Sequence, residues 1–303
     1  MSHMTTSRWR KVLAVVVAGL LAAFLASCQE DPQPASDGEF AARAKVVAQA
    51  WTDSGALQGW KSGLVILDPL TREGNFGSSD TAKANYGNGW ISSGGWTFDP
   101  RGTRGVVRFG DGSRAEVGVV SSEAAFNAGL PRQSGECVKN PAGACAWVVL
   151  KDVTLETAVV ATNRGQAVVP AWKFTFVGVP DPVVRVAVDP RDFARLPDEI
   201  RSSGVSPALL AAMNFDPGHA VPSPSSTTLN FIVGSGCAKD ERGVVNESPD
   251  LIVVGGTATP LTGACTAMLV MKPVSVTLAS PVGGRPIVDV VSGQVLRFPD
   301  QPR

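Results

Sequence analysis

Cysteine is the residue type in this 303-residue chain best suited to covalent chemistry, and the chain has five of them. Cys28 stands apart from two groups, Cys137 with Cys145 and Cys237 with Cys265. In an oxidising compartment an even set of cysteines favours disulfides, and proximity along the chain favours pairing within each group. The rival interpretation is a metal cluster, but no CxxC spacing occurs and histidine occurs only twice. We therefore predict the disulfides Cys137–Cys145 and Cys237–Cys265 and no metal site.

Hydrolytic catalysis finds little support in the residue pattern. A Ser–His–Asp triad needs a histidine between a nucleophile and a carboxylate, whereas His219 lies in a proline-rich stretch typical of a solvated linker. No GxSxG motif is present. A carboxylate pair such as Asp181 with Asp189 could cleave glycosides only if both faced one cleft. These two residues and Asp99 all stand beside a proline, which is typical of turns. We expect no cofactor and assign no catalytic residue.

A glycine- and aromatic-rich stretch from Asn85 to Phe98 holds a candidate ligand platform, Tyr86, Trp90 and Trp96. Flat apolar rings set among Gly and Asn could stack on the sugar rings of cell-wall glycan. The alternative, which the spacing favours, is that Trp90 and Trp96 face the same side of a strand and enter the core. Three other tryptophans on periodic segments are expected in the core: Trp51, Trp147 and Trp172.

The amino terminus has the layout of an export signal. Arg8, Arg10 and Lys11 precede an uninterrupted apolar run from Val12 to Ala26. As a helix, this run of about 15 residues would extend roughly 22 Å, short of a hydrocarbon core roughly 30 Å thick. The run is followed by Cys28. We predict a signal peptide over residues 1–27.

The residues Leu25-Ala26-Ser27-Cys28 resemble the lipobox of bacterial lipoproteins, a branched apolar residue and two small residues before a cysteine. The resemblance implies that Cys28 carries diacylglycerol and becomes the first residue of the mature protein, on the outer face of the cell membrane. An ordinary cleaved signal and an uncleaved anchor are the alternatives. Residues 28–38 are polar and proline-containing, and we interpret them as a tether.

Charge and composition limit the remaining classes. Lysine plus arginine and aspartate plus glutamate each number 27, and three of the basic residues lie in the signal peptide. The mature chain is therefore slightly acidic, which argues against a nucleic-acid partner. With 44% apolar residues the chain can bury a sizeable core. The expected partners are the membrane and either cell-wall glycan or another envelope protein.

Periodicity predicts a mainly β fold with one or two short helices. Residues 39–52 have apolar residues at helical spacing, and 207–214 begin with a serine cap and a first-turn proline. Alternation at Trp172–Phe176, and the run Gly105–Phe109 before a Gly-Asp-Gly turn, predict strands. Several further valine-rich runs have the same character.

The prolines and serines of 217–226 suggest a linker between a larger β-rich domain over 39–216 and a smaller β domain over 227–303. A weak repeat follows the cysteines, since an SGxC or SGC motif precedes a GAC motif in both halves. Similar apolar stretches follow each GAC motif, at 148–155 and 268–276. We interpret the repeat as two related, disulfide-stapled β units.

The passage Asn163-Arg-Gly-Gln-Ala-Val-Val-Pro-Ala-Trp-Lys-Phe-Thr-Phe176, with Gly283-Gly-Arg-Pro-Ile-Val-Asp289 and Ser292-Gly293, resembles uncharacterised secreted lipoproteins of actinobacteria. The resemblance implies an envelope location and brings no substrate or catalytic residue with it. Two hypotheses remain. The favoured one is a membrane-anchored, non-catalytic binding or scaffold module, and the other is an extracytoplasmic hydrolase of wall polymer or peptide that uses carboxylates.

The anchor assignment predicts the effect of Cys28→Ala. Two acyl chains hold a protein stably at a bilayer, so their loss should release the chain into the medium or leave an unprocessed precursor. Cell fractionation with immunoblotting measures this. A correctly cleaved Cys28→Ala chain that stays on the membrane would contradict the assignment.

Overall fold

The computed structural model describes residues 37–200, 205–261 and 268–299, and within these ranges the fold is mainly β, as predicted. It has four α-helices rather than one or two: α1 (Asp37–Asp53), α2 (Ala56–Ser62), α3 (Asp80–Gly87) and α4 (Ser122–Gly129). The first nine strands are β1 (Thr71–Arg72), β2 (Ile91–Ser92), β3 (Thr103–Phe109), β4 (Arg114–Val119), β5 (Val148–Thr162), β6 (Gly165–Phe176), β7 (Val183–Val186), β8 (Leu209–Leu210) and β9 (Ala212–Phe215). The others are β10 (Thr228–Ser235), β11 (Ala238–Glu247), β12 (Ile252–Pro260), β13 (Val270–Thr277) and β14 (Ile287–Asp289).

The first sheet is built around the long hairpin of β5 and β6. β6 pairs antiparallel with β5 on one edge and with β3 and β7 on the other. β4 extends the sheet beyond β3, β1 extends it beyond β7, and β2 runs parallel to the start of β5. Phe174 and Phe176 are buried while Lys173 and Thr175 are not, so the alternation predicted for this strand is confirmed.

The carboxyl-terminal strands form two smaller sheets that share a core. One has the order β13-β10-β9, and the other has the order β11-β12-β14 with β8 also paired to β12. Large apolar side chains from both sheets meet in a single cluster that includes Leu229, Phe231, Ile252 and Leu296. Each of these four side chains is at most 1% exposed, so the cluster is a closed core.

Helix α1 confirms the predicted helical spacing, because Phe40, Ala44, Val47 and Trp51 are its buried residues. The helix is amphipathic, and its apolar stripe needs a partner to exclude water. It ends at Asp53, two residues before Gly55, which has φ of 71° and allows the chain to turn into α2.

The partner of α1 is the carboxyl-terminal part of the chain. Val253 and Val288 pack against it in one core cluster. The Trp51 indole N–H donates to the Gly293 carbonyl at 2.9 Å, and Arg43 Nη2 donates to the Val291 carbonyl at 2.6 Å. Helix α1 belongs by sequence to the predicted larger domain over 39–216, but it packs on strands that follow the predicted linker over 217–226. The boundary at 217–226 itself stays a prediction.

The prediction of a helix over 207–214 is wrong, because this segment forms β8 and β9. The Ser206 hydroxyl does accept from the Ala208 N–H, at 3.4 Å, but only one turn forms. Leu209 and Leu210 then pair with β12, and β9 pairs with β10. Leu209, Leu210, Ala212 and Phe215 are buried, so sheet pairing and burial override the local helical signal.

The two segments of the weak repeat are both strands, but they pair differently. β5 turns at Asn163 and Arg164 into its antiparallel partner β6. β13 instead pairs with β10, and β14 runs parallel to β12 after Arg285 and Pro286. In the described strands, the weak sequence repeat is therefore not accompanied by a repeated pattern of strand pairing.

Asp289 ties together the ends of β14 and β9. It is 3% exposed, and its carboxylate accepts hydrogen bonds from the Ala212 N–H and from the N–H and hydroxyl of Ser292, each at 2.7 Å. Burial raises the pKa of Asp289, while these donors oppose the shift. The pKa of Asp289 is therefore higher in the folded than in the unfolded chain. Its titration stabilises the fold most below the unfolded pKa of about 4, and this contribution is lost as the pH rises above that value.

Removal of the Asp289 carboxylate should destabilise the protein, even though burial of its charge is unfavourable. Asp289→Ala leaves three donors without their acceptor, which should lower the free energy of unfolding by about 2–4 kcal/mol. Urea denaturation measures the change. The exposed Glu73→Ala is the control and should stay within about 0.5 kcal/mol of the wild type. Equal values for both variants would contradict the role given to Asp289.

Candidate functional site

The three residues of the predicted platform do not lie together as expected. Tyr86 is 2% exposed, and its ring lies 4.8 Å from that of Phe76 and 6.2 Å from that of Phe176. It belongs to the core of the first sheet, so including it in a ligand platform is wrong. The reason is its position in α3, on the side of the helix that faces this core.

Trp147 takes the place that Tyr86 was expected to have. It is 47% exposed, so the expectation that it enters the core is wrong. Val148 and Leu150 at the start of β5 are both buried, which directs residue 147 to the opposite side. The Trp147 and Trp90 rings meet edge to face, with centroids 5.0 Å apart and planes at 65°. Trp51, by contrast, is fully buried and Trp172 is half-buried.

The segment that presents Trp147 is closed by the disulfide Cys137–Cys145, which confirms the first predicted pairing. Inside it, Asn140 Oδ1 accepts from the N–H groups of Ala142 and Ala144, at 3.0 and 3.1 Å. The predicted partner of Cys237, Cys265, lies outside the described residues, and the second pairing stays a prediction. Cys28 also lies outside them.

Asn85 holds this disulfide loop on the body of the protein. Its side chain is fully buried, and its Oδ1 accepts from the Val138 N–H at 2.6 Å. Its Nδ2 donates to the carbonyls of Val138 and Ala146, at 2.9 and 2.7 Å. The backbone of Trp90 is hydrogen-bonded to both α3 and β5. Its N–H donates to the Asn85 carbonyl, and its carbonyl accepts from the Val148 N–H. The tryptophan pair is therefore fixed in place.

Trp96 is exposed to 38% and does not enter the core. Burial of both Trp90 and Trp96 on one face would need a single continuous strand between them. Strand β2 contains only Ile91 and Ser92, and Gly94 and Gly95 follow with φ of 61° and 80°. This turn breaks the two-residue period between the two tryptophans.

A cleft of about 330 Å³ lies between the β5–β6 turn and the carboxyl-terminal strands. One wall comes from residues between 159 and 166, and the opposite wall from 282–287 and 295–298. Residues 221–224 of the predicted linker form a third side, and Trp60, Leu67, Asp68 and Phe215 also line the cleft. The proline-rich segment therefore borders a cavity, and its end is hydrogen-bonded to Val282 and Gly283.

Two of the three proline-flanked aspartates, Asp189 and Asp99, have their carboxylates engaged in turns. The Arg191 guanidinium and backbone N–H donate to Asp189 and lower its pKa to about 2, so it stays ionised at neutral pH and is unsuited to donate a proton. The Arg101 N–H lowers the pKa of Asp99 in the same way. Asp181 lies in the bend between β6 and β7, where its backbone N–H donates to the distant Asn75 carbonyl.

His219 pairs with a carboxylate in a surface turn. Its Nδ1 lies 2.8 Å from Asp216 Oδ2, while Asp216 Oδ1 accepts from the Gly218 N–H. The histidine side chain is 54% exposed. This geometry is that of an aspartate-stabilised turn, which agrees with the proline-rich sequence around it.

Within the described ranges, no group of three or more His, Cys, Asp or Glu side chains is arranged to hold a metal ion. None of the described helices is long and apolar enough to span a membrane. The chain matches no protein-family model, no curated protein and no solved structure. Its function must therefore be argued from its own geometry.

The role of Asn85 can be tested by comparison with Asn88 three residues later. Asn85→Ala removes three buried hydrogen bonds and should lower the free energy of unfolding by about 2–3 kcal/mol. Asn88 makes one exposed bond, from Nδ2 to the Glu136 carbonyl at 3.2 Å, so Asn88→Ala should cost less than about 1 kcal/mol. Hydrogen exchange of residues 136–146 should increase in the first variant only. Equal exchange in both variants would contradict the proposed clamp.

Proposed function

We propose that this chain is an extracytoplasmic lipoprotein, anchored by diacylglycerol on Cys28, that binds cell-wall glycan without catalysing a reaction. The leader and the lipobox-like residues before Cys28 support the anchor and the location. The disulfide Cys137–Cys145 supports an oxidising compartment. The observation that carries the binding role is the tryptophan pair, because Trp147 stays half in solvent while its surroundings are fixed.

An exposed, rigid indole is suited to a sugar ligand. The apolar face of a pyranose ring can stack on the indole, while sugar hydroxyls remain hydrated. Tryptophan offers this surface at low cost in side-chain entropy, and a disulfide-closed loop lowers the cost further because the site is ordered before binding. Asn85 and the Trp90 backbone add to this preorganisation.

The alternative, a hydrolase that uses carboxylates, needs a carboxylic acid with a raised pKa facing substrate. Asp289 is a carboxyl group whose pKa is raised, but it is buried and accepts from Ala212 and Ser292. Asp189 is shifted in the opposite direction. These observations favour the binding role over the hydrolytic one.

The binding role predicts that Trp147→Ala weakens attachment to glycan. Loss of one stacking face should lower the affinity about tenfold, equivalent to about 1.4 kcal/mol. Co-sedimentation of the full-length protein with purified peptidoglycan sacculi, and calorimetry with a chitin tetrasaccharide, measure the effect. Val46→Ala is a matched control, because it removes an exposed apolar side chain from helix α1, away from the tryptophan pair.

Trp90→Ala should weaken binding less than Trp147→Ala, since Trp90 supports the exposed ring from its edge. Sacculus binding that is unchanged in Trp147→Ala would contradict the proposed function. Equal losses in Trp147→Ala and Val46→Ala would do the same. Anchoring through Cys28 is measured separately by fractionation, so the two parts of the proposal can fail independently.

A further inference from the structure

The cleft beside the β5–β6 turn has the size of a small-molecule site and is distinct from the tryptophan pair. At about 330 Å³ it lies at the lower end of the range for ligand pockets, about twice the volume of a cavity that accepts benzene. Its apolar lining includes Trp60, Leu67, Phe215 and Phe298. The last two rings stack on each other with centroids 4.9 Å apart.

Arg285 is the cationic residue among those that line the cleft, and its guanidinium is fully used within the protein. Its Nε donates to the Val282 carbonyl, and its Nη1 donates to Glu247 Oε2 at 3.1 Å and to the Ser248 carbonyl. Its Nη2 donates to the carbonyls of Ser280 and Pro281. These bonds occupy all five N–H groups of an arginine, so an anionic ligand would gain no donor from it.

Most other polar side chains of the wall are engaged in the same way. Asp68 Oδ2 accepts from the Ala161 N–H at 2.8 Å, and the Thr162 hydroxyl donates to the Gly165 carbonyl. Asn163 Oδ1 accepts from the Val65 N–H, and its Nδ2 donates to the carbonyls of Trp60 and Gly63. The Trp60 indole N–H donates to the Gly284 carbonyl at 2.7 Å. These bonds serve the fold, so a ligand meets a predominantly apolar wall. Gln166 is the exception among these lining residues, since its exposed amide makes no side-chain hydrogen bond within the described residues.

The apolar lining continues to the mouth of the cleft. Val159 on β5 is 51% exposed, and Val221 on the facing segment is 58% exposed. An anionic ligand that entered between these valines would lose hydration without finding a free cationic group, whereas an uncharged apolar ligand would gain by leaving water. We propose that the cleft binds a small, uncharged, predominantly apolar molecule of one or two rings, or one of similar bulk.

The test uses two dyes with the same ring skeleton, neutral phenylnaphthylamine and its anionic analogue anilinonaphthalene sulfonate. Fluorescence titration is done on the full chain carrying Cys28→Ala, without detergent, so that no lipid or micelle takes up the dye. We expect the neutral dye to bind saturably at one site. The sulfonated dye should bind at least about tenfold more weakly, because its charge finds no free cationic donor.

Two substitutions at the mouth, on opposite walls, test the location. Val159→Trp and Val221→Trp each fill the entrance and should weaken binding of the neutral dye about tenfold. Both positions are exposed, so the fold tolerates the larger side chain. Leu155→Trp is the matched control, because Leu155 is 44% exposed on the same strand and the same face as Val159 but lies outside the cleft. It should bind the dye as the parent chain does.

Three outcomes would overturn the proposal: no saturable binding of the neutral dye, equal or tighter binding of the sulfonated dye, or an equal loss in Leu155→Trp and Val159→Trp. Sacculus binding by the same variants should be unchanged, since the tryptophan pair is not part of the cleft. Failure of the apolar site and failure of the glycan site are therefore distinguishable.

Discussion

Trp51 is fully buried at the end of helix α1, where its indole N–H reaches the Gly293 carbonyl near the end of the described chain. The contact joins residues separated by 242 positions. Because the apolar stripe of α1 is covered by the last strands, the first and last described elements close the structure on each other. Trp60, on the following helix, repeats the arrangement by donating to the Gly284 carbonyl. Much of the remaining geometry depends on this closure.

The cleft is a direct consequence. Closure brings the end of the β5–β6 hairpin opposite residues 282–298, and Asn163 then links the hairpin turn to α2 through the Trp60 carbonyl. Most polar side chains around the cavity hold these segments together, so the bonds that stabilise the fold also leave the cavity wall predominantly apolar. Such a hydrogen-bond network also makes the wall rigid. The Arg285–Glu247 pair is part of that network, with both side chains largely buried.

The tryptophan pair depends on a different kind of constraint. Here a local disulfide and one buried asparagine hold a loop that has little core of its own, and an exposed indole results. The two candidate sites thus differ in origin. The cleft follows from long-range packing, whereas the tryptophan loop follows from a short covalent closure fixed to the end of α3. The two sites share no residue, so binding at one does not compete for the side chains of the other.

Local patterns in the sequence determined the elements whose physics is local. The period of α1, the alternation in β6 and the pairing of Cys137 with Cys145 all depend on residues close together in the chain, and the structure confirms them. The lipobox-like leader is also a local pattern, and it stays a prediction. Tertiary structure decided the rest. Leu209 and Leu210 became strand because β12 offered them hydrogen-bond partners, and Tyr86 and Trp147 exchanged their expected roles because core packing chose which ring to bury. The cleft has no sequence signature, since its walls come from distant segments and only the complete fold brings them together.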